Sequence, residues 1–328
     1  MWDASCGIRD VCSGFRLVIH ALRDQIKDIR IQQSDKRLKK RASRNKICVS
    51  RFLISAVGVQ IKAMRVKIKD LSDPHCEKRN QQSEEGGMGY GIRVVLVMNR
   101  KGGSGKSTLC RALASAAAAK GETVTIFDTD ASKSCLKWMQ AGKEAGNWSP
   151  LVEVIHTLDA HRVAEAIGQI YEQPDQEHLI LIDTFGGGSE AQDVLAVAAH
   201  RIICPMMLSR GDLSETLETA NWYLKLRGRV EKPDELAGFS VLLNRVPVRV
   251  SETERAVAEE LFQSLPALET YLGSRAAYVR MDREGLLGVI ADKTPNRALA
   301  AHVQSAVKEA ADLLEEIDQL ILNPAEIA

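Results

Sequence analysis

The stretch from 92 to 120 restricts this chain more than any other. Ile92-Arg93-Val94-Val95-Leu96-Val97-Met98 is a β-rich apolar run, long enough for a strand buried on both faces. It leads into Lys101-Gly102-Gly103-Ser104-Gly105-Lys106-Ser107-Thr108, and the Ala-rich segment from Leu109 to Lys120 then reads as helix. A glycine-rich octapeptide in that context, strand before and helix after, is a phosphate-binding loop. The glycines let backbone N–H groups of Gly102, Gly103, Ser104 and Gly105 turn inward without Cβ clashes. The helix start adds the positive end of its dipole. In such a loop Lys106 supplies charge to the β- and γ-phosphates and the Ser107 hydroxyl is placed to ligate Mg2+. Thr108 can reach an α-phosphate. A glycine turn without a ligand would need neither the lysine nor the hydroxyls at these places.

Strand and helix patterns continue to alternate. Thr123–Phe127, Val152–Ile155, His178–Ile182, Ile202–Cys204 and Phe239–Leu243 read as strands. Helices are expected over Ala160–Tyr171, Ser189–Ala199, Asp212–Leu226, Ser251–Leu265 and Arg297–Leu322, with Ser251 and Glu254 spaced as a capping box. This order predicts an α/β fold, a doubly wound, mostly parallel sheet with helices on both faces. In such sheets the ligand lies at the carboxyl ends of the strands. Asp128, Asp130, Asp183 and Asn244 all fall there. Asp183 after Leu179-Ile180-Leu181-Ile182 has the pattern of an acid that holds Mg2+ through water. Asp130 reads either as a group orienting an attacking water or as the N-cap of the following helix.

Charge is divided unevenly. Residues 1–87 hold 19 Lys and Arg against 10 Asp and Glu, and residues 88–328 hold 25 against 33. A basic extension (1–87) is therefore joined to an acidic body (88–328), through the polar stretch Asn80 to Gly87. Within the extension, Phe15, Val18, Ile19, Leu22, Ile26 and Ile29 recur at helical spacing, and Lys36 to Lys46 is a basic run. It reads as a DNA-contacting arm, a small domain or a solvated tail. A fourth reading is an over-extended start, since Glu84-Glu85-Gly86-Gly87 must be encoded by purine-rich codons just ahead of Met88. No apolar run approaches the ~20 residues needed to span a bilayer, and no secretory leader is evident. The seven cysteines include no C-x-x-C pair, which argues against a zinc or iron–sulfur site and fits a reducing cytoplasm.

The pattern Lys101-Gly102-Gly103-Ser104-Gly105-Lys106-Ser107, with Arg100 where a first glycine usually stands, resembles the deviant Walker A group of P-loop ATPases, the ParA/MinD family. The resemblance covers 88–328 and implies an ATPase using ATP and Mg2+. It implies that Lys101 is the family's hallmark lysine, reaching the nucleotide of a partner subunit in an ATP-dependent homodimer. Asp128-Thr129-Asp130 resembles the family's D-x-D element, with Asp130 acting on water and Asp128 supporting the metal shell. The family usually continues Pro-Gln, whereas this chain has Ala131-Ser132. Thr184 to Gly188 would be a γ-phosphate switch, and Asn244 would hydrogen-bond adenine. The Gly186-Gly187-Gly188-Ser189-Glu190 form, Trp138, Arg245-Val246-Pro247-Val248 and Ser264-Leu265-Pro266 are similar to VirC-type ATPases of T-DNA transfer.

The resemblance further implies non-specific DNA binding, by phosphate contacts that are salt-sensitive. Lys225, Arg227, Arg229, Arg245, Arg249, Arg255, Arg275, Arg280 and Arg283 are the candidates. Cargo would be a plasmid or chromosome under partition with a ParB-like centromere-binding protein, or a transfer strand with a relaxase-type partner. A non-hydrolysing ATP-binding scaffold is a further alternative. A membrane-cycling regulator is disfavoured by Glu309, Asp312, Glu315, Glu316 and Asp318 in the last helix, and an iron–sulfur reductase by its cysteines. Trp138, Trp148 and Trp222 read as packing residues, and Cys110 and Cys135 as small buried hydrophobes.

Overall fold

A computed structural model describes residues 91–172, 177–186 and 190–323. The expectations for 1–87 and the start at Met88 lie outside the described residues, as do Gly187 and Gly188 of the expected switch. The element order is β1 (Ile92–Val97), α1 (Lys106–Ala119), β2 (Thr123–Asp128), α2 (Ser134–Glu144), β3 (Val152–His156), α3 (Ala160–Tyr171), β4 (His178–Asp183), α4 (Glu190–Ala198), β5 (Arg201–Met206), α5 (Arg210–Arg227), β6 (Gly238–Leu243), α6 (Glu252–Ser264), α7 (Ala276–Glu284), α8 (Leu287–Lys293) and α9 (Arg297–Leu322), with a 3-10 turn at Pro233–Glu235.

The strands form one sheet of six in the order β3-β2-β4-β1-β5-β6, and every pair is parallel. Because strand side chains alternate between faces, Val95 and Val97 of β1 enter a core with α1, α2 and α7 to α9. Val94 and Leu96 enter a second core with α3 to α6. Burial on both sides is the reason the central strands read as unbroken apolar runs. The chain leaves β1 toward one side of the sheet and returns through β5 and β6 on the other, which opens the crevice at the carboxyl ends of β1 and β4.

Two helices, α7 and α8, were not expected. In α7 only Ala277, Tyr278 and Met281 are buried, too few for a visible period, and its place is set by tertiary bonds. The Trp138 indole N–H donates to the Met281 carbonyl at 2.9 Å, and the Tyr278 hydroxyl donates to Glu309 at 2.9 Å. The sequence also truncates β5, because Pro205 interrupts a strand pattern. β5 pairs with β1 only as far as Ile203, so the missing N–H of Pro205 falls beyond that ladder. Its carbonyl accepts a bond from Asn99 Nδ2 at 2.8 Å instead. The capping box of Ser251 and Glu254 forms as the spacing predicts. Trp138 and Trp148 pack edge to face with centroids 4.7 Å apart, the packing role expected of them.

Candidate nucleotide-binding site

β1 delivers the loop 98–105 to the sheet crevice, and α1 begins at Lys106. The N-cap, Gly105, has φ 93° and offers no side-chain cap, so the first amides of α1 are open to an anion. A Cβ at Gly105 would stand 2.1 Å from Asn244 Nδ2. Conformation and space therefore both require glycine there. The Lys106 ammonium is buried and curls back over the loop, donating to the carbonyls of Asn99 at 3.1 Å and Lys101 at 3.0 Å. Burial lowers its pKa, while Asp183 and Asp130 pull it back up. Ser104 Oγ is buried with no hydrogen-bond partner among the described residues.

Asp128 and Asp183 end adjacent strands and are register partners. Their environments differ. Asp128 Oδ1 accepts from the Asp130 N–H at 3.2 Å, and Oδ2 accepts from the N–H groups of Cys135 at 2.8 Å and Leu136 at 3.1 Å. Asp128 thus caps α2, in place of Asp130. The positional N-cap is Lys133, in a left-handed conformation with φ 56° and no side-chain bond. Half-buried Asp130 instead closes its own turn, accepting from the Ser132 N–H at 2.8 Å. At Asp183, Oδ2 accepts from the Cys135 thiol at 3.3 Å, whereas Oδ1 is buried and without a partner of ordinary geometry. Burial raises the Asp183 pKa to about 6, and the Ser107 hydroxyl and Cys135 thiol beside it act in the opposite direction.

That open carboxylate oxygen, next to the Ser107 hydroxyl, is the fit expected of a Mg2+ site. Among the described residues no three His, Cys, Asp or Glu side chains converge on a metal position. Mg2+ does not need such a cage, since it keeps waters and takes phosphate oxygens beside one or two protein ligands.

Asn244 follows the last residue of β6, and its amide faces the loop. Nδ2 donates to the Ser104 carbonyl at 3.0 Å and Oδ1 accepts from the Arg245 N–H at 2.9 Å. Its observed partners are protein groups, and it braces the cradle. The expected switch threads closely past the same loop: a Cβ on Gly186 would stand 2.7 Å from the Arg100 carbonyl. The Thr184 hydroxyl ties it to the Val97 carbonyl at 2.9 Å.

Two residues central to the site were missed. Asn99 accepts from the Lys101 N–H at 2.8 Å through Oδ1, and its own carbonyl holds Lys106. Asp212, almost fully buried at the start of α5, pairs with Lys101 Nζ at 2.7 Å. The Ser209-x-x-Asp212 spacing is a helix-start signal that could have marked it. The Thr219 hydroxyl, from the same helix, accepts from the Arg100 N–H at 3.2 Å.

The nine basic candidates for DNA contact separate into two groups. Arg227, Arg229, Arg275 and Arg280 pair with Asp234, Asp193, Glu309 and Glu284. Lys225, Arg245, Arg249, Arg255 and Arg283 are exposed, and none forms an ion pair among the described residues. No helix of the described residues is long and apolar enough to cross a membrane.

The family model described as VirC1 protein matches residues 92–324. Protein virC1 of Rhizobium radiobacter is 30% identical over 199 residues, which cover 60% of this chain and 83% of that protein. Maintenance of carboxysome distribution protein A of Gloeobacter kilaueensis is 29% identical over 199 residues, 59% of this chain and 82% of its own length. Among solved structures, one described as a plasmid partition protein of Borrelia burgdorferi bound to AMPPNP superposes with a TM-score of 0.50 at 13% identity. It covers 70% of this chain and 99% of that one, a likeness of fold.

Proposed function

The chain belongs to the VirC1 family, and from that premise we propose that it is a ParA-like, Mg2+-dependent ATPase whose ATP-bound form is a dimer. The observation that carries this reading is the open glycine cradle under a buried lysine, faced by a carboxylate oxygen that no protein group satisfies. The cradle amides and Lys106 would take the triphosphate, with Lys106 exchanging two neutral carbonyls for phosphate oxygens. Such charge-assisted bonds are about twice as strong as neutral ones. Ser107 and Asp183 would hold Mg2+, which supplies charge neutralisation at the β- and γ-phosphates. Asp128 keeps α2 in register behind them. Asp130 would orient the water that attacks the γ-phosphate.

Lys101 has its own part. It lies against Asp212 of its own chain, one-third exposed. Because the Asp212 carboxylate is buried, the lysine would leave it only for a more highly charged partner, such as a triphosphate in a second protomer. The monomer would thus keep Lys101 at home until a nucleotide-bearing partner arrives. The dimer would bind DNA phosphates through the unpaired Arg245, Arg249, Arg255, Lys225 and Arg283. Family membership favours a relaxase-bound transfer strand as cargo, in the cytoplasm and on the nucleoid. The same cycle serves plasmid partition if the stimulating partner is ParB-like.

Calorimetry of the full chain with Mg2+ and ATP should detect binding, and no heat of binding would overturn the reading. In size-exclusion chromatography with a non-hydrolysable ATP analogue, the parent should shift to a dimer and Lys101→Ala should not. A dimer peak unchanged by Lys101→Ala would reject the role of that lysine. Single-turnover phosphate release, with and without DNA, separates the ATPase from a non-hydrolysing scaffold.

A further inference from the structure

Cys135 joins the two strand-end acids. Its backbone N–H donates to Asp128 Oδ2 at 2.8 Å, and its thiol donates to Asp183 Oδ2 at 3.3 Å. The side chain is fully buried, in the first turn of α2. Cys110 and Cys204 are buried as completely, yet neither thiol has a hydrogen bond to either acid. The carboxylate of Asp183 can turn about a broad terminal torsion, and its two oxygens are equivalent until something distinguishes them. In this fold the Cys135 thiol bonds Oδ2, while Oδ1 has no hydrogen bond of ordinary geometry and the Ser107 hydroxyl stands beside the carboxylate.

We propose that Cys135 is a positioning residue for the cation site, its thiol holding Asp183 Oδ2 so that Oδ1 is presented to Mg2+. The inference rests on the nucleotide reading above and adds a residue to it. A thiol suits the role because it is a weak donor. It can fix the carboxylate's orientation while withdrawing less charge from it than a hydroxyl or an N–H would. Partners that orient metal ligands commonly matter for metal affinity nearly as much as the ligands.

The test titrates Mg2+ into the full-length chain with a fixed amount of AMPPNP, following nucleotide binding by calorimetry, and repeats the nucleotide titration in EDTA. Cys135→Ala should raise the Mg2+ concentration for half-saturation by about tenfold. Affinity for the metal-free nucleotide should stay within about twofold, because the cradle and Lys106 are untouched. Cys135→Ser retains a donor and should recover most of the loss. Should Cys135→Ala not fold, Cys135→Val fills the space without a donor and makes the same comparison. An unmoved Mg2+ midpoint would overturn the inference, as would equal shifts for the Ala and Ser variants or an equal loss in EDTA, each of which marks a packing effect. A parent chain that takes up no nucleotide in Mg2+ would overturn the nucleotide reading and this inference together.

Discussion

At the amino ends of the strands, buried charge meets buried charge. Arg93 of β1 bonds Glu122 and lies 3.1 Å from Asp318 of α9. His178 and Thr125 are hydrogen-bonded at 2.9 Å. His200 Nδ1 accepts from the Val94 N–H at 3.2 Å, and its Nε2 is hydrogen-bonded with the Tyr171 hydroxyl at 2.7 Å. At the carboxyl ends, by contrast, Lys106, Asp128, Asp130 and Asp183 form no ion pair within 4 Å among the described residues, and Ser104 Oγ and Asp183 Oδ1 lack partners. Both ends bury polar groups, which is costly unless they are compensated. At the amino end the chain supplies opposite charges, although both Asp318 carboxylate oxygens lack hydrogen bonds and burial raises that group's pKa to about 7. Under the proposed function, nucleotide and Mg2+ would take up the polar groups of the other end.

Arg93→Met is the strongest way to break that contrast. It would leave Glu122 and Asp318 buried without their cation, and should cost about 3–5 kcal/mol of unfolding free energy, read by urea denaturation. ATP affinity of the folded fraction should hardly change. If stability held, the amino end would not be the structural one. Lys106→Ala is the mirror experiment. Calorimetry should show ATP affinity falling about 100-fold or more, roughly 3 kcal/mol. Stability should change by less than about 1 kcal/mol, because the lysine gives up only neutral hydrogen bonds.

Asp183 and His178 should respond to acidification with opposite signs, and Asp318, raised to about 7 by burial, should follow Asp183. Asp183 has a folded-state pKa of about 6 against an ordinary 3.8. Its neutral form thus contributes stability that is present below the unfolded value and lost as pH rises through the folded one. Only the ionised form serves a cation, so Mg2+-dependent nucleotide binding should weaken as pH falls through about 6. His178 has the opposite sign. Burial, then the charge of Arg93, lowers its pKa from 6.5, so its contribution is present above that value and lost as pH falls below it. His178→Gln should flatten part of the stability loss between about pH 7 and 5, measured by urea unfolding across that range.

The smallest effects are on the surface. Arg249→Ala and Arg255→Ala should each reduce the salt dependence of DNA binding by about one counterion. Arg229→Ala should leave it unchanged, because that guanidinium is already held by Asp193 at 2.8 Å. Equal slopes for all three variants would mean that intrachain pairing does not select the DNA face.

The strand–loop–helix unit, the parallel order, the acids at strand ends and the capping box of α6 were legible in the residues themselves. Each depends on interactions within a few positions: side-chain period, glycine backbone freedom, a hydroxyl reaching the next turn's amides. What folding alone decided were relations between distant positions. Asp128 and not Asp130 caps α2, because β2 places its carboxylate over the first amides of that helix. Lys101 meets Asp212 across 111 positions, and Cys135 meets Asp183 across 48. Helices α7 and α8 exist because the packed core orders them. Local pattern can say that a lysine or an aspartate stands at a strand tip. Whether its charge is satisfied there depends on which remote group the packed sheet and helices bring within hydrogen-bond reach, and no short-range period encodes that.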